Sequence, residues 1–137
     1  MKIDLTHVPQ EGLELNESFA PEELDLGFID IEFKRPIQIN AKVTRFTNAV
    51  TVDADLSTEA ESVCSRCLER FKMTINEKKR FNYLISDDKP VVDISEDIRQ
   101  ELILDYPIKI LCRQDCKGLC PNCGKNLNLG SCDCKTN

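Results

Sequence analysis

Residues 37–56, IQINAKVTRFTNAVTVDADL, carry the clearest structural pattern in the chain. Apolar and polar residues alternate over residues 37–43 and again over residues 50–56. A period of two places the apolar side chains on one face of a strand and the polar ones on the other. Phe46 breaks the alternation, so we expect a bulge or a strand end there. The pattern therefore predicts an antiparallel hairpin with one buried face.

Shorter patterns predict the elements around this hairpin. The alternation continues to Cys64, and a further strand run begins after Cys67, which places residues 64–67 in the turn between two long strands. Short strands are expected at residues 2–8 and 13–19, with a turn or a single helical turn at 20–27.

A helix is predicted at about residues 93–105. Asp93 is a suitable N-cap, and Glu96 follows it by three residues, as in a capping-box variant. Ile94, Ile98 and Leu102 are spaced four apart and form an apolar stripe, and Pro107 stops the helix.

The expected fold class is α+β and mainly antiparallel β, as a sheet or a partly open barrel, with one C-terminal helix and a zinc-ribbon-like cysteine-rich tail. Residues 1–110 are expected to form the β-rich domain. Residues 111–137 are expected to form a zinc-binding module packed on the turn at residues 64–67. This tail has six cysteines and no long apolar run, so it needs a metal ion or disulfide cross-links to fold.

Charge is unevenly distributed along the 137 residues, whose formal net charge is −6. The net charge is −8 over residues 1–33, +4 over 64–80, −5 over 81–108 and +3 over 109–137. Binding two Zn²⁺ through eight thiolates would bring the total to about −10. The N-terminus lacks the pattern of a secretory signal, so we expect a cytoplasmic protein in a reducing compartment. Cysteine clusters there more often bind metal than form disulfides.

The cysteines are the strongest functional signal. Their spacing is C-x2-C, then 44 residues, then C-x3-C-x3-C-x2-C-x8-C-x-C, and the eight are Cys64, Cys67, Cys112, Cys116, Cys120, Cys123, Cys132 and Cys134. Zn²⁺ favours four tetrahedral ligands, so eight thiolates suit two ions. The four from Cys120 to Cys134 lie within fifteen residues and are predicted to share one ion. The other four would then share the second, although Cys116 and Cys120 are near enough to exchange roles.

Three alternatives to zinc remain open at this point: disulfides, an iron–sulfur cluster, and a redox-active pair at residues 64–67 with a depressed thiol pKa. A catalytic zinc usually has a His or carboxylate ligand and an open position. The one histidine, His7, is expected to be a strand surface residue. Because no catalytic motif accompanies it, we expect that the chain is not an enzyme.

Five segments resemble a known family. They are residues 64–71 (CSRCLERF), 101–107 (ELILDYP), 111–112 (LC), 116–128 (CKGLCPNCGKNLN) and 132–134 (CDC). Together they resemble the YceD family, the large-subunit ribosomal RNA accumulation proteins, and the similarity covers roughly residues 30–134. The resemblance implies a bacterial cytoplasmic factor for ribosome biogenesis, acting in assembly or stability of the large-subunit rRNA.

The implied partners are large-subunit rRNA, a ribosomal protein or both; no membrane and no small-molecule substrate is expected. The positive stretches supply candidate phosphate contacts, namely Arg66, Arg70, Lys78, Lys79, Arg80, Lys109, Arg113, Lys117 and Lys125. The overall acidity opposes tight nonspecific RNA binding, and the acidic N-terminal section could bind a basic ribosomal protein instead. The alternative function is that of a zinc-dependent regulator or metal-sensing interaction protein.

Overall fold

A computed structural model describes residues 1–105 and 107–134. Its elements, in chain order, are β1 (Lys2–Asp4), β2 (Leu13–Phe19), α1 (Pro21–Leu24), β3 (Ile31–Phe33), β4 (Ile37–Arg45), β5 (Ala49–Val63), β6 (Arg70–Leu84), β7 (Val91–Asp93) and α2 (Ile94–Leu104). Tyr106, which belongs to the ELILDYP segment, and residues 135–137 of the predicted tail module lie outside the described residues. No helix in the described part of the chain has the length and apolarity needed to span a membrane.

Most strands form one open antiparallel sheet. β2, β4 and β5 are neighbours in that order, and β6 pairs with the other edge of β5 along its whole length. β3 pairs with β5 on the same edge as β4, farther along the strand. The small β1–β7 sheet is separate. The predicted α+β fold is confirmed, and of the two predicted forms, a sheet or a partly open barrel, the structure has the open sheet.

The predicted hairpin is β4 followed by β5. Its register pairs Val43 with Val52 and Ala41 with Ala54, so the alternating apolar side chains of both strands share one face. All of these side chains are buried. Fully burying each Val or Ile side chain contributes about 1.5–3 kcal/mol, and shifting the register by one residue would turn them all toward water.

The β1–β7 sheet and helix α2 supply the other side of the core. Ile94 and Ile98 of α2 are fully buried in the same cluster as β4 and β5. The amino group of Met1 donates to Ser95 Oγ at 2.6 Å. The N-terminal segment is therefore fixed against the start of α2.

The structure differs from two predictions, the capping box at the start of α2 and the position of His7. Asp93 is the N-cap, and its carboxylate accepts a hydrogen bond from the backbone N–H of Ser95 at 3.0 Å. The capping box expected from Glu96 does not form, because that carboxylate faces Arg99 at 3.5 Å. His7 lies in an exposed bend after β1, where it contacts Asp4, and not in a strand as expected.

The segment after α2 returns to the sheet. Ile110 is buried against Ile31 and Ala60. Its carbonyl accepts a hydrogen bond from the Ser65 N–H at 2.8 Å, and its own N–H donates to Ser65 Oγ at 3.2 Å. These contacts bring the tail to the β5–β6 turn. The division into two domains at residue 110 stays a prediction.

Candidate metal centres

The eight cysteines form two groups of four sulfurs. Within each group all ligand atoms lie within 4.8 Å of one another. We call Cys64, Cys67, Cys112 and Cys116 the inner tetrad, and Cys120, Cys123, Cys132 and Cys134 the outer tetrad. This is the same division that the spacing predicts.

The sulfur distances test whether a metal ion fits. The sulfurs of Cys64 and Cys116 are 3.6 Å apart, and those of Cys67 and Cys112 are 3.8 Å apart. Four sulfurs at ~2.3 Å from a tetrahedral ion are about 3.8 Å from each other, whereas a disulfide requires about 2.05 Å. No cysteine is in a disulfide in this structure. The tetrads therefore have the donors and the spacing to hold metal ions.

The inner tetrad begins in the tight turn between β5 and β6. The N–H of Cys64 donates to the carbonyl of Glu69 at 2.9 Å, and the N–H of Leu68 donates to the carbonyl of Cys64 at 3.0 Å. Leu68 has φ of 61°, a left-handed conformation that is costly for a residue with a Cβ. The turn directs the sulfurs of Cys64 and Cys67 to the same side.

The outer tetrad begins in a turn with the same hydrogen bonds. The N–H of Cys120 donates to the carbonyl of Lys125 at 2.8 Å, and the N–H of Gly124 donates to the carbonyl of Cys120 at 2.9 Å. Gly124 occupies the position of Leu68, with φ of 73°. The two C-x2-C segments are thus the same local structure, with glycine at the left-handed position in only one of them.

Contacts between the two chain segments close the inner tetrad. The Arg66 guanidinium donates to the carbonyl of Cys116 at 3.0 Å. Gly118 passes close to Arg66, since a Cβ on Gly118 would lie 3.4 Å from the Arg66 carbonyl oxygen, and its φ is +78°. A Cβ at this distance would make an ordinary van der Waals contact, so it is the positive φ that favours glycine at residue 118.

Asn128 connects the tail to the inner tetrad, a role the sequence analysis missed. Its Nδ2 donates to the sulfur of Cys116 at 3.2 Å. Its Oδ1 accepts from the backbone N–H of Lys117 at 2.8 Å and from Arg113 at 2.9 Å. Spacing alone could not identify this residue, because an amide near a cysteine cluster is not distinguished by any pattern.

The thiols of the inner tetrad differ in acidity. Burial opposes ionisation of Cys64, but backbone N–H groups, those of Cys67 and Cys112 foremost, outweigh it and lower its pKa to about 6. Burial, together with hydrogen bonding to Cys64, raises the pKa of Cys112 to about 12. One sulfur is stabilised as a thiolate, and another retains its proton until a cation compensates the charge.

The outer tetrad repeats this division. Hydrogen bonds from the backbone N–H groups of Cys123 and Asn122 lower the pKa of Cys120 to about 6. Hydrogen bonding to Cys123 is the main cause that raises the pKa of Cys134 to about 12. The outer tetrad is more accessible, since Cys123 is exposed whereas Cys64 is fully buried.

Two of the candidate phosphate contacts lie on the outer face of β6 and are paired. Arg80 donates to Asp53 at 2.6 Å, and Lys78 lies 3.3 Å from Asp55. In each case the two residues are cross-strand neighbours in the β5–β6 register. Their positive charge is therefore largely compensated within the sheet.

Two other cations of the first basic stretch, Arg70 and Lys79, also face carboxylates. Arg70 donates to Glu32 at 2.8 Å. Lys79 points to the inner face of the sheet, where it pairs with Asp105 and with Glu101 of α2. No compact surface of free positive charge results from the stretch at residues 64–80.

Two basic side chains of the tail make hydrogen bonds within the protein, and two make none to the described residues. Arg113 donates to Asn128, and Lys125 donates to the carbonyl of Ser131 at 2.9 Å. Within the described residues, the side chains of Lys109 and Lys117 make no ion pair or hydrogen bond. The nine candidates therefore do not form one common site, and phosphate contact by these residues stays a prediction.

Known proteins match this chain over two different extents. A family model described as large ribosomal RNA subunit accumulation protein YceD matches residues 78–137. An uncharacterized protein of Mycobacterium tuberculosis is 26% identical over 143 residues, covering 90% of this chain and 69% of the relative. The chloroplastic YCED homolog 1 of Arabidopsis thaliana is 46% identical over 43 residues, covering 31% of this chain and 13% of the homologue. No solved structure matches the chain.

The fold and the site together define a class: an open antiparallel sheet whose longest hairpin meets a cysteine-rich tail in a shared sulfur tetrad. The region matched by the family model includes the whole tail, with six of the eight cysteines. Residues 78–137 are thus similar to the YceD family, in the region that holds the ELILDYP segment and the cysteines of the tail.

Proposed function

We propose that this protein is a ribosome-biogenesis factor that supports accumulation or assembly of large-subunit ribosomal RNA without catalysing a reaction. The observation that carries the proposal is the match of residues 78–137 to a family named for large ribosomal RNA subunit accumulation. The chloroplastic homologues of Arabidopsis thaliana and Zea mays carry the same name. Binding of rRNA, of a ribosomal protein or of both is the proposed activity.

The proposed metal is Zn²⁺, one ion in each tetrad, with a structural role. Four thiolate donors satisfy the coordination of Zn²⁺ and leave no position for a substrate. Both tetrads offer four sulfurs, and no histidine or carboxylate belongs to either group. Free thiols of this number are stable in a reducing compartment, which supports a cytoplasmic location as part of the proposal.

The function is tested by removing the gene and measuring the ratio of large- to small-subunit rRNA. We expect the ratio to fall, and to recover with the wild-type chain. A variant with Cys64→Ser and Cys116→Ser should fail to restore it, because both sulfurs belong to the buried inner tetrad. Unchanged rRNA levels after deletion would contradict the proposal.

Binding to rRNA is tested by its dependence on salt. Log affinity falls with log salt in proportion to the number of phosphates neutralised. Lys109→Ala with Lys117→Ala should weaken binding and flatten this slope, because neither lysine side chain has an ion pair or hydrogen bond to another described residue. Lys78→Ala is the matched control, since Asp55 already faces it at 3.3 Å. A slope near zero in the wild type would leave a ribosomal protein as the partner.

A second candidate function is a zinc-dependent regulator, favoured by the accessibility of the outer tetrad. Cys123 is exposed, and Cys132 and Cys134 are partly exposed. A sensor requires zinc that exchanges and a partner affinity that changes with it. Chelation that removes one zinc and alters binding of an rRNA fragment, while the sheet stays folded by circular dichroism, would support this role. Chelation that only unfolds the tail would exclude it.

A further inference from the structure

An apolar groove of about 230 Å³ lies on the inner face of the sheet, beside the end of α2. Its walls come from strands β3 to β6, residues 26–28, Leu102, Asp105 and Pro107. Its apolar lining includes Phe28, Phe33, Met73 and Ile75. No cysteine of either tetrad lines it. Pockets for small-molecule ligands usually measure about 300–1,000 Å³, so the groove better suits one or two side chains of a peptide.

Exposed apolar residues adjoin, in sequence, the residues that line this groove. Ile108 is 99% exposed and Ile29 is 97% exposed, the two highest values among the large apolar residues of the described chain, and Leu104 is 77% exposed. Each is adjacent in sequence to a residue that lines the groove. Single exposed apolar residues are ordinary, but several beside an apolar groove indicate a surface for protein interaction.

The charge of the groove indicates the kind of partner. Glu77 lines it, and this carboxylate makes no ion pair or hydrogen bond within the described residues. Lys79, two residues farther along β6, is already paired with Glu101 and Asp105. A cation brought by a partner can therefore pair with Glu77.

Two chain segments that line the groove are also negatively charged. Residues 26–33 carry two acids and residues 102–107 carry Asp105, and neither segment has a Lys or Arg. Asp105 is paired with Lys79, so among the described lining residues Glu77 is the carboxylate left to repel phosphate and attract Lys or Arg. The groove therefore fits a basic polypeptide better than RNA.

We propose that this groove binds an extended segment of a basic ribosomal protein, with an apolar side chain against Met73 and Ile75 and a flanking Lys or Arg facing Glu77. The inference rests on the proposed ribosomal function and adds the partner class and the binding surface. Apolar contact provides the affinity in this arrangement, and the Glu77 carboxylate selects a basic sequence around the anchor.

The experiment uses the full zinc-loaded chain and an array of overlapping 15-residue peptides from the large-subunit ribosomal proteins. Peptides that bind are titrated into protein labelled at the methyl groups of Met and Ile, so that Met73 and Ile75 report directly on the groove. An rRNA fragment is titrated in parallel. We expect bound peptides to contain an apolar residue flanked by Lys or Arg, and to shift these two methyl signals.

Variants with exposed substitutions keep the fold intact. Ile29→Ser with Ile108→Ser should weaken peptide binding about tenfold or more, and Glu77→Gln should weaken it severalfold and reduce its salt dependence. Leu84→Ser and Leu129→Ser are matched controls, since these leucines are 74% and 82% exposed but do not line or adjoin the groove. The controls should bind within about twofold of the wild type.

Three results would overturn the inference: no peptide shifts the signals of Met73 and Ile75, the groove variants bind as tightly as the controls, or the rRNA fragment shifts those signals and displaces the peptides. The rRNA ratio in cells lacking the gene reports separately on the proposed function. A normal ratio after deletion would remove the ribosomal role, whereas a reduced ratio with no peptide at the groove would remove only this surface.

Discussion

Replacing Asn128 with alanine should weaken metal binding at the inner tetrad, although Asn128 is not one of its ligands. The side chain donates to the sulfur of Cys116 at 3.2 Å and accepts hydrogen bonds from the Lys117 N–H and from Arg113. In Asn128→Ala the sulfur loses a donor that stabilises its negative charge. The hydrogen bond from Asn128 is also the main cause that lowers the pKa of Cys116.

The size of the effect follows from these contacts. A hydrogen bond to a charged group contributes about 1.5–3 kcal/mol. Loss of a hydrogen bond that orients a metal ligand typically lowers metal affinity about 10- to 100-fold, which corresponds to about 1.4–2.8 kcal/mol. The two ranges agree, so we expect a 10- to 100-fold loss at the inner tetrad and little change at the outer one.

The measurement is competition for Zn²⁺ with a chromophoric chelator, with two zinc ions titrated per chain. Asn122→Ala is the matched control, because Asn122 is an exposed asparagine of the tail whose side chain makes no hydrogen bond within the described residues. The reasoning is refuted if Asn128→Ala releases both ions at the wild-type chelator concentration, or if the control weakens binding equally.

Three further results are expected. Gly124→Ala should cost about 1–2 kcal/mol at the outer tetrad, because φ is 73° and a Cβ strains this left-handed conformation. No atom lies near enough to clash with the added Cβ, so we expect no further cost and roughly a tenfold loss of zinc affinity in the same competition assay. A chelator should remove zinc from the outer tetrad first, since Cys123 is exposed and Cys64 is buried; thiol alkylation mapped by mass spectrometry gives the order. Tyr83→Phe should lower the free energy of unfolding in urea by about 1 kcal/mol, because the Tyr83 hydroxyl of β6 donates to Asp97 of α2.

Each of these expectations has a contrary outcome. Unchanged zinc affinity in Gly124→Ala would mean that the left-handed position tolerates a Cβ. Alkylation of Cys64 before Cys123 would mean that burial does not control the order of release. Wild-type stability in Tyr83→Phe would mean that water replaces the hydrogen bond to Asp97 at no cost.

Local patterns in the sequence predicted the hairpin and the division of the cysteines. Alternation over residues 37–43 and 50–56 specifies a buried face because one face of the sheet is covered, so the register is determined by burial. Eight sulfurs in close pairs can form few compact groups of four. Both features depend on the spacing of residues that are close together in the sequence, so they can be predicted from it.

Longer-range pairing was not predictable in the same way. Glu77 and Lys79 interrupt the apolar pattern within β6, which is nevertheless one continuous strand from Arg70 to Leu84. Lys79 faces inward because Glu101 and Asp105 approach from α2. Carboxylates from distant segments determine which cations have an ion-pair partner. The basic stretches of the sequence therefore do not form a positively charged surface in the structure.

The inner tetrad joins the β5–β6 turn to residues far along the chain, since Cys64 and Cys116 are 52 positions apart. An ion held there acts as a cross-link that closes a long loop. By the chain-entropy relation for cross-links, closing a loop of this length restricts the unfolded chain by about 4 kcal/mol. Nascent chains could gain this restraint only after residue 116 has been synthesised, so zinc supply and translation would jointly time the attachment of the tail.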